Sequence, residues 1–254
     1  MKQYKVAIIG NGMICNAAHI PAYKAMGDKV KIVAVADIRE EAAKETAERH
    51  GIPKYYVDPY KMLEEEKPDI ISVCTPNAYH KEYTLAGFRA GCHVVCEKPV
   101  AVTCADAEEM FNAAEKAGKH LFVIQSLRFT GNFKAAAGLA KSGCLGDIYY
   151  ADLNLVRRRG VPRWGMFHMA KENVGGAFCD LGVHMCDYLM SISGNPKMVS
   201  VSGSAVTRIV NKEKNIEFSN AESGAPTGLF TPRKFDMKEF DVEEFANGYI
   251  RLEN

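Results

Sequence analysis

Charge of one sign is what this chain most obviously lacks. Lys and Arg (32) almost cancel Asp and Glu (31), leaving a formal charge of +1 over 254 residues. So balanced a chain projects no long-range field toward phosphate polymers or acidic bilayers, so neither nucleic acid nor a membrane is expected as a partner. Long apolar runs are missing too. No stretch approaches the roughly eighteen residues that cross a bilayer, and the apolar run in the opening MKQYKVAIIG is too short for a secretory core. A cytoplasmic location is the expectation, with small molecules and protein as partners. Cysteine is plentiful, at eight residues, but metal-binding spacing is not: no CxxC has a second to match it, and Cys92 and Cys96 are four apart. Structural zinc is therefore not expected. Several thiols sit inside strand-like runs such as ISVCTP and HVVCEKP, and read as buried and reduced.

A 47% hydrophobic content suits a well-packed core, and the length allows two domains. The first 125 residues alternate β-rich runs with helical patterns, the form of a parallel sheet with crossover helices. Strands are expected at Lys5–Gly10, Lys31–Asp37, Lys54–Val57, Asp69–Thr75, His93–Glu97 and His120–Gln125. Helices are expected at Ile14–Ala25, Glu40–His50, Pro59–Glu66, Ala78–Ala90 and Ala105–Ala117, the last opened by a Thr103/Asp106 capping box. Residues 126–254 read as a second, α+β domain: a helix at Phe133–Lys141, strand-like runs at Ile148–Arg158, Met198–Val206 and Phe245–Leu252, and a helix at Phe178–Ile192. The polar stretch Asn211–Pro232 reads as a loop. The chain stops at Asn254 in what looks like an unfinished strand, an edge that needs a partner, and a C-terminal truncation is the expectation.

Six sets of residues are candidates to carry chemistry. Gly10, Gly12, Met13 and Ile14 follow a strand and open a helix, where glycines let backbone amides approach a pyrophosphate; Cys15 stands at the third glycine position. Asp37 ends the second strand and either accepts from an adenosine ribose or caps the next helix. It favours NAD, while Arg39 two residues on leaves NADP open. Thr75, Pro76, Asn77 and His80 follow the fourth strand, either flanking the cofactor or forming a turn. Glu97-Lys98-Pro99 closes the fifth strand at the carboxyl edge, where ligands of open parallel sheets bind. In GGAFCDLGVH (175–184), Asp180 and His184 stand four apart on an apolar helix, so a carboxylate there can orient the imidazole. Gly175 and Gly176 suit close approach of a ligand. With His168 unplaced, that pair supplies only two metal ligands, so no metal is expected. Arg157-Arg158-Arg159, with Trp164 and His168 beyond, is either a solvated strand end or a site for polar substrate groups.

Taken in order along one chain, GNGMIC (10–15), ADIREEAA (36–43), TPNAYH (75–80), CEKP (96–99) and GGAFCDLGVH (175–184) resemble the Gfo/Idh/MocA family, the glucose-fructose oxidoreductase and inositol dehydrogenase type. The resemblance implies an α/β fold: an N-terminal Rossmann dinucleotide-binding domain (1–125), then an α+β domain (126–254) with a large, mainly antiparallel open sheet used for homo-oligomerisation, incomplete here. It implies NAD(P)-dependent hydride transfer at a secondary alcohol or ketone of a sugar or cyclitol, with Lys98, Asp180 and His184 catalytic. Arg128 and Trp164 join those three in the expected substrate-binding set; Glu97 and Lys98 join the cofactor set. Two other readings are an NAD-dependent glycosidase of the same fold and an NAD-binding but inactive remnant or sensor.

Overall fold

The computed structural model describes residues 2–156, 162, 164–208, 210, 228–233 and 235–253. The expected strands of the first half all form: β1 (Tyr4–Ile9), β2 (Val30–Ala36), β3 (Tyr55–Tyr56), β4 (Ile70–Val73), β5 (His93–Cys96) and β6 (Leu121–Val123). They make one six-stranded sheet in the order β3-β2-β1-β4-β5-β6, parallel at every pairing. This is the Rossmann arrangement, in which the strand order reverses beside β1 and opens a crevice at the carboxyl edge.

Near-continuous apolar runs follow from burial on both faces. On β1, Val6 and Ile8 pack with Ile20, Tyr23 and Val35, while Ala7 and Ile9 pack on the other side with Val73, Val94 and Met110. The covering helices are α1 (Ile20–Ala25), α2 (Glu40–His50), α3 (Pro59–Glu66), α4 (His80–Arg89) and α5 (Cys104–Lys116). Their ends are chemically marked. Asp58 caps α3 through the amides of Tyr60 and Lys61, with Pro59 in the first turn. Thr103 accepts from the Asp106 amide at 3.1 Å and donates to its carboxylate at 2.8 Å, the expected acidic capping box. Gly51 stops α2 in the left-handed conformation, φ 65°.

In the second half, α6 (Gly131–Lys141), α7 (Ala170–Asn173) and α8 (Val183–Ile192) precede a ribbon of β7 (Met198–Val206) and β8 (Phe245–Leu252), paired antiparallel. A wide π-type turn, Phe178–Gly182, leads into α8. Among the described residues the expected large sheet amounts to this two-stranded ribbon. The strand expected at Ile148–Arg158 is a correction: residues 148–156 carry no ladder. A strand exists only through pairing, and this segment lies open, Tyr149 at 90% and Val156 at 76% exposure. Arg157, Arg158 and Arg159, most of the Asn211–Pro232 loop, and Asn254 lie outside the described residues. Among the described residues no helix is long and apolar enough to cross a membrane.

The two halves are fastened through residues 229–233. Arg39 donates to the Thr231 carbonyl (3.2 Å) and Arg49 to that of Leu229 (3.1 Å). The Thr231 hydroxyl donates to Glu45 (2.5 Å).

Candidate active site

The carboxyl edge of the sheet gathers the expected motifs. Gly10, φ 92°, turns the chain out of β1 with its amide on the Ala36 carbonyl. A Cβ there would lie 2.6 Å from the Cys74 carbonyl oxygen, so only glycine fits against β4. Gly12 differs: a Cβ would meet nothing within 4 Å, so the loop faces open space just before a helical run spanning 13–25. Cys15 is fully buried behind the loop, with its thiol pKa pushed up to about 12 by burial, and acts as a small packing residue.

Asp37 follows β2 and is 9% exposed. One carboxylate oxygen accepts from the Asn11 amide (2.8 Å), the other from the Arg39 amide (2.9 Å), with Arg39 Nε 3.6 Å away. Arg39 occupies the N-cap position of α2 without a side-chain capping bond. The Asp37 carboxylate therefore ties the glycine loop to the end of β2. Thr75 follows β4 with its hydroxyl buried and lacking a hydrogen-bond partner. A loop facing open space, a carboxylate at the second strand end and an orphan hydroxyl at the fourth fit a dinucleotide lying across this edge.

His80, expected either to flank the cofactor or to belong to a turn, is 0% exposed, its ring 2.7 Å from the Pro99 carbonyl and 3.0 Å from that of Thr75. Burial outweighs both carbonyls and holds its pKa below the ordinary value. Its part is to clamp the two cleft-edge turns together. Asn77 likewise turns inward, donating to the Asn173 carbonyl at 2.9 Å.

Lys98 Nζ donates to both the carbonyl and the carboxylate of Asp180, each at 2.9 Å, with both side chains largely buried. This corrects the expected Asp180–His184 pair. The π-type turn carries the Val183 N–H to the Phe178 carbonyl, five residues back, and so rotates side chains four apart off a common face. His184 Nδ1 lies instead 3.2 Å from Gln125 Oε1. Burial first, then Lys98, holds its pKa below the ordinary imidazole value. Gln125 also lines a cleft of about 410 Å³ with Val123, Arg128, Phe129 and Asp187. There Arg128 grips Asp187 through two bonds, 2.7 and 2.5 Å. Trp164 packs edge-on against Phe167 at 6.3 Å, its indole N–H buried without a partner.

The paired glycines also serve differently from expectation: what approaches them is protein. A Cβ at Gly176 would overlap the Glu243 carbonyl oxygen, and one at Gly175 would come 2.6 Å from Cys179 Sγ. Glu243 accepts from the amides of Gly176 and Phe178 (both 2.9 Å), while its own carbonyl takes the Ala177 amide (3.0 Å). The segment leading into β8 thereby holds the start of the Asp180 turn.

Glu243 and Gln125 escaped the sequence reading, as did a buried network behind Lys98. Glu97, 8% exposed, accepts the Lys98 amide (3.2 Å) and pairs with His19 Nε2 (2.9 Å). His19 Nδ1 lies 3.2 Å from Ser72 Oγ, itself 2.7 Å from the Tyr23 hydroxyl.

Residues 4–125 match the model of an oxidoreductase family with an NAD-binding Rossmann fold, and residues 133–254 match the GFO/IDH/MocA C-terminal domain. D-glucoside 3-dehydrogenase of Escherichia coli is 36% identical over 97% of the chain and 68% of its own length. Myo-inositol 2-dehydrogenase of Thermotoga maritima is 30% identical over 75% of the chain; the aligned region spans 55% of that relative. The crystal structure of aldose-aldose oxidoreductase from Caulobacter crescentus, complexed with glycerol, superposes with a TM-score of 0.74 at 25% identity, covering 99% of this chain and 68% of that one. Crevice, glycine loop and both domain matches agree: the chain belongs to the GFO/IDH/MocA family of oxidoreductases, built on an NAD-binding Rossmann domain.

Proposed function

We propose that this protein moves a hydride between NAD and a secondary alcohol or ketone of a neutral sugar or cyclitol, with Lys98, Asp180 and His184 as the reacting group of side chains. The observation that carries the reading is the meeting of Lys98 and Asp180 at the carboxyl edge, with His184 in the next turn, its pKa lowered chiefly by burial and then by Lys98. Residues Gly10 to Ile14 would hold the pyrophosphate, Asp37 a ribose hydroxyl, and Thr75 to Asn77 and Glu97 the rest of the cofactor's edge. The Asp37 carboxylate opposes a 2′-phosphate and so favours NAD, although Arg39 beside it keeps NADP in play. Bound NAD supplies the hydride acceptor.

The protein's own part is to move a proton and hold an oxygen. His184, kept neutral by its surroundings, accepts the hydroxyl proton, which is worth roughly 10² to 10⁴ in rate. Lys98, fixed by Asp180, donates toward the same oxygen as charge grows on it. Arg128 is already neutralised by Asp187, so the cleft beside His184 offers paired charges to hydroxyls rather than a free cation to a carboxylate or phosphate. Trp164 with its unpartnered N–H is a candidate wall for the sugar. The names of the glucoside and inositol dehydrogenases point to the same substrate class.

The test is NAD reduction against a panel of glucosides, free hexoses and inositols. Turnover is expected in the wild type, with kcat falling about 10² to 10⁴ in Lys98→Met and His184→Ala while NADH binding persists. Near-normal turnover in both variants would sink the assignment. We further infer a homo-oligomer formed through the β7–β8 ribbon, where Val201 and Tyr249 are exposed, to be checked by sedimentation. The eight unpaired thiols support a reducing, cytoplasmic setting.

A further inference from the structure

The geometry points to Gln125 as the residue that sets the tautomer of His184, accepting its Nδ1–H and leaving the Nε2 lone pair free for the substrate's proton. The inference rests on His184 being the proton acceptor of the proposed reaction. Gln125 leaves β6 at the carboxyl edge and faces the 410 Å³ cleft. Its Oε1 stands 3.2 Å from His184 Nδ1. A carboxylate would ordinarily fill this role, and several surround the ring, but each is engaged elsewhere. Asp180 holds Lys98, Asp187 holds Arg128, and Glu97 holds His19 and the Lys98 amide. The charged groups acting on the ring are therefore Lys98 and Glu97 from the end of β5, Asp180 from the turn that leads into α8, and Asp187 from α8 itself.

The choice of an amide has a chemical consequence. A carboxylate at Nδ1 would fix the tautomer but also stabilise the imidazolium, keeping the base protonated at higher pH. An amide oxygen fixes the ring's orientation and adds no charge. Together with the Lys98 ammonium nearby, it leaves His184 neutral where a dehydrogenase needs a proton acceptor. Gln125 is thus a positioning residue that acts through His184.

The test has two arms. In full-length protein labelled with ¹⁵N-histidine, the His184 signals are assigned by their loss in His184→Ala, and the remaining imidazoles report whether each variant is folded. The wild type should carry its proton on Nδ1, and Gln125→Leu should move it toward Nε2, the form free imidazole side chains prefer. A wild-type ring protonated on Nε2, or a Gln125→Leu ring unchanged, overturns the inference. In the kinetic arm, Gln125→Glu should shift the acid limb of kcat/KM upward by about one pH unit or more, with KM for NAD within about twofold. An acid limb that stays put while the tautomer moves supports Gln125's role and removes His184 as the base.

Discussion

Gly176→Ala tests how the turn that carries Asp180 is held. A methyl group at Gly176 would overlap the Glu243 carbonyl oxygen and lie 2.8 Å from its carbonyl carbon and 2.9 Å from Val242 Cγ2. Ordinary carbon contacts begin at about 3.5 Å, and two of these atoms are backbone, so the segments must part by roughly 1 Å. Three hydrogen bonds span that seam, all to Glu243, two of them to its carboxylate. A neutral bond contributes about 1 kcal/mol and a carboxylate bond about 1.5 or more. Water reaches this edge and softens the loss, leaving about 3–4 kcal/mol. At about 2–4 °C per kcal/mol for a chain near this length, the thermal midpoint should fall by about 6–16 °C. The same 1 Å displaces Asp180 from Lys98, so kcat should drop by about 10² among the molecules that remain folded. Differential scanning calorimetry and steady-state rates on one preparation provide both readings. A variant melting within about 2 °C of wild type would refute the claim that glycine is needed for this contact.

Gly12→Ala should behave oppositely. With nothing within 4 Å of the new methyl group its melting temperature should barely change, yet NADH affinity should fall about tenfold because the methyl projects where the pyrophosphate is proposed to lie; titration calorimetry reads this, and unchanged affinity counts against the loop as the phosphate site. His19→Ala leaves the buried Glu97 carboxylate without its imidazole hydrogen bond and should cost about 1.5–3 kcal/mol in urea melts, with a loss under about 0.5 kcal/mol contradicting the pair's importance. His80 and His168, both buried, have folded-state pKa values held below the unfolded value mainly by burial. The unfolded chain therefore binds more protons as pH falls below about 6.5, so stability present at pH 7.5 should decline toward pH 5.5; a flat midpoint over that range would contradict it.

Local pattern was legible wherever the residues themselves carry it. Glu40–His50, Pro59–Glu66, Met198–Val206 and Phe245–Leu252 form over the expected spans because their periodicity, caps or alternation are properties of the segment. Ile148–Arg158 has the same alternation but, over its described part, no neighbour to pair with, and alternation cannot supply one. At the site, the Lys98 and Asp180/His184 motifs stood out by spacing, whereas their partners did not. Gln125 meets His184 across 59 positions, Glu243 meets Gly176 across 67, and His19 meets Glu97 across 78. No helical or strand period links residues so distant. Even the Asp180–His184 spacing misled, because a π-type turn has the same sequence appearance as an α-helical one.

The fastening at Thr231 bears on the order in which the molecule is made. Its hydroxyl reaches back 186 positions to Glu45, and its carbonyl 192 positions to Arg39. The six parallel strands are complete by Val123, so the first half can collapse on its own while later residues are still being synthesised. For that interval the flank of α2 and the guanidinium groups of Arg39 and Arg49 lack these partners and face water. Closing a loop this long carries an entropic cost that only a formed second half can repay. Thr231 is therefore a late lock on an early scaffold, and a nascent chain halted before it should hold its first sheet while leaving Arg39 and Glu45 without those partners.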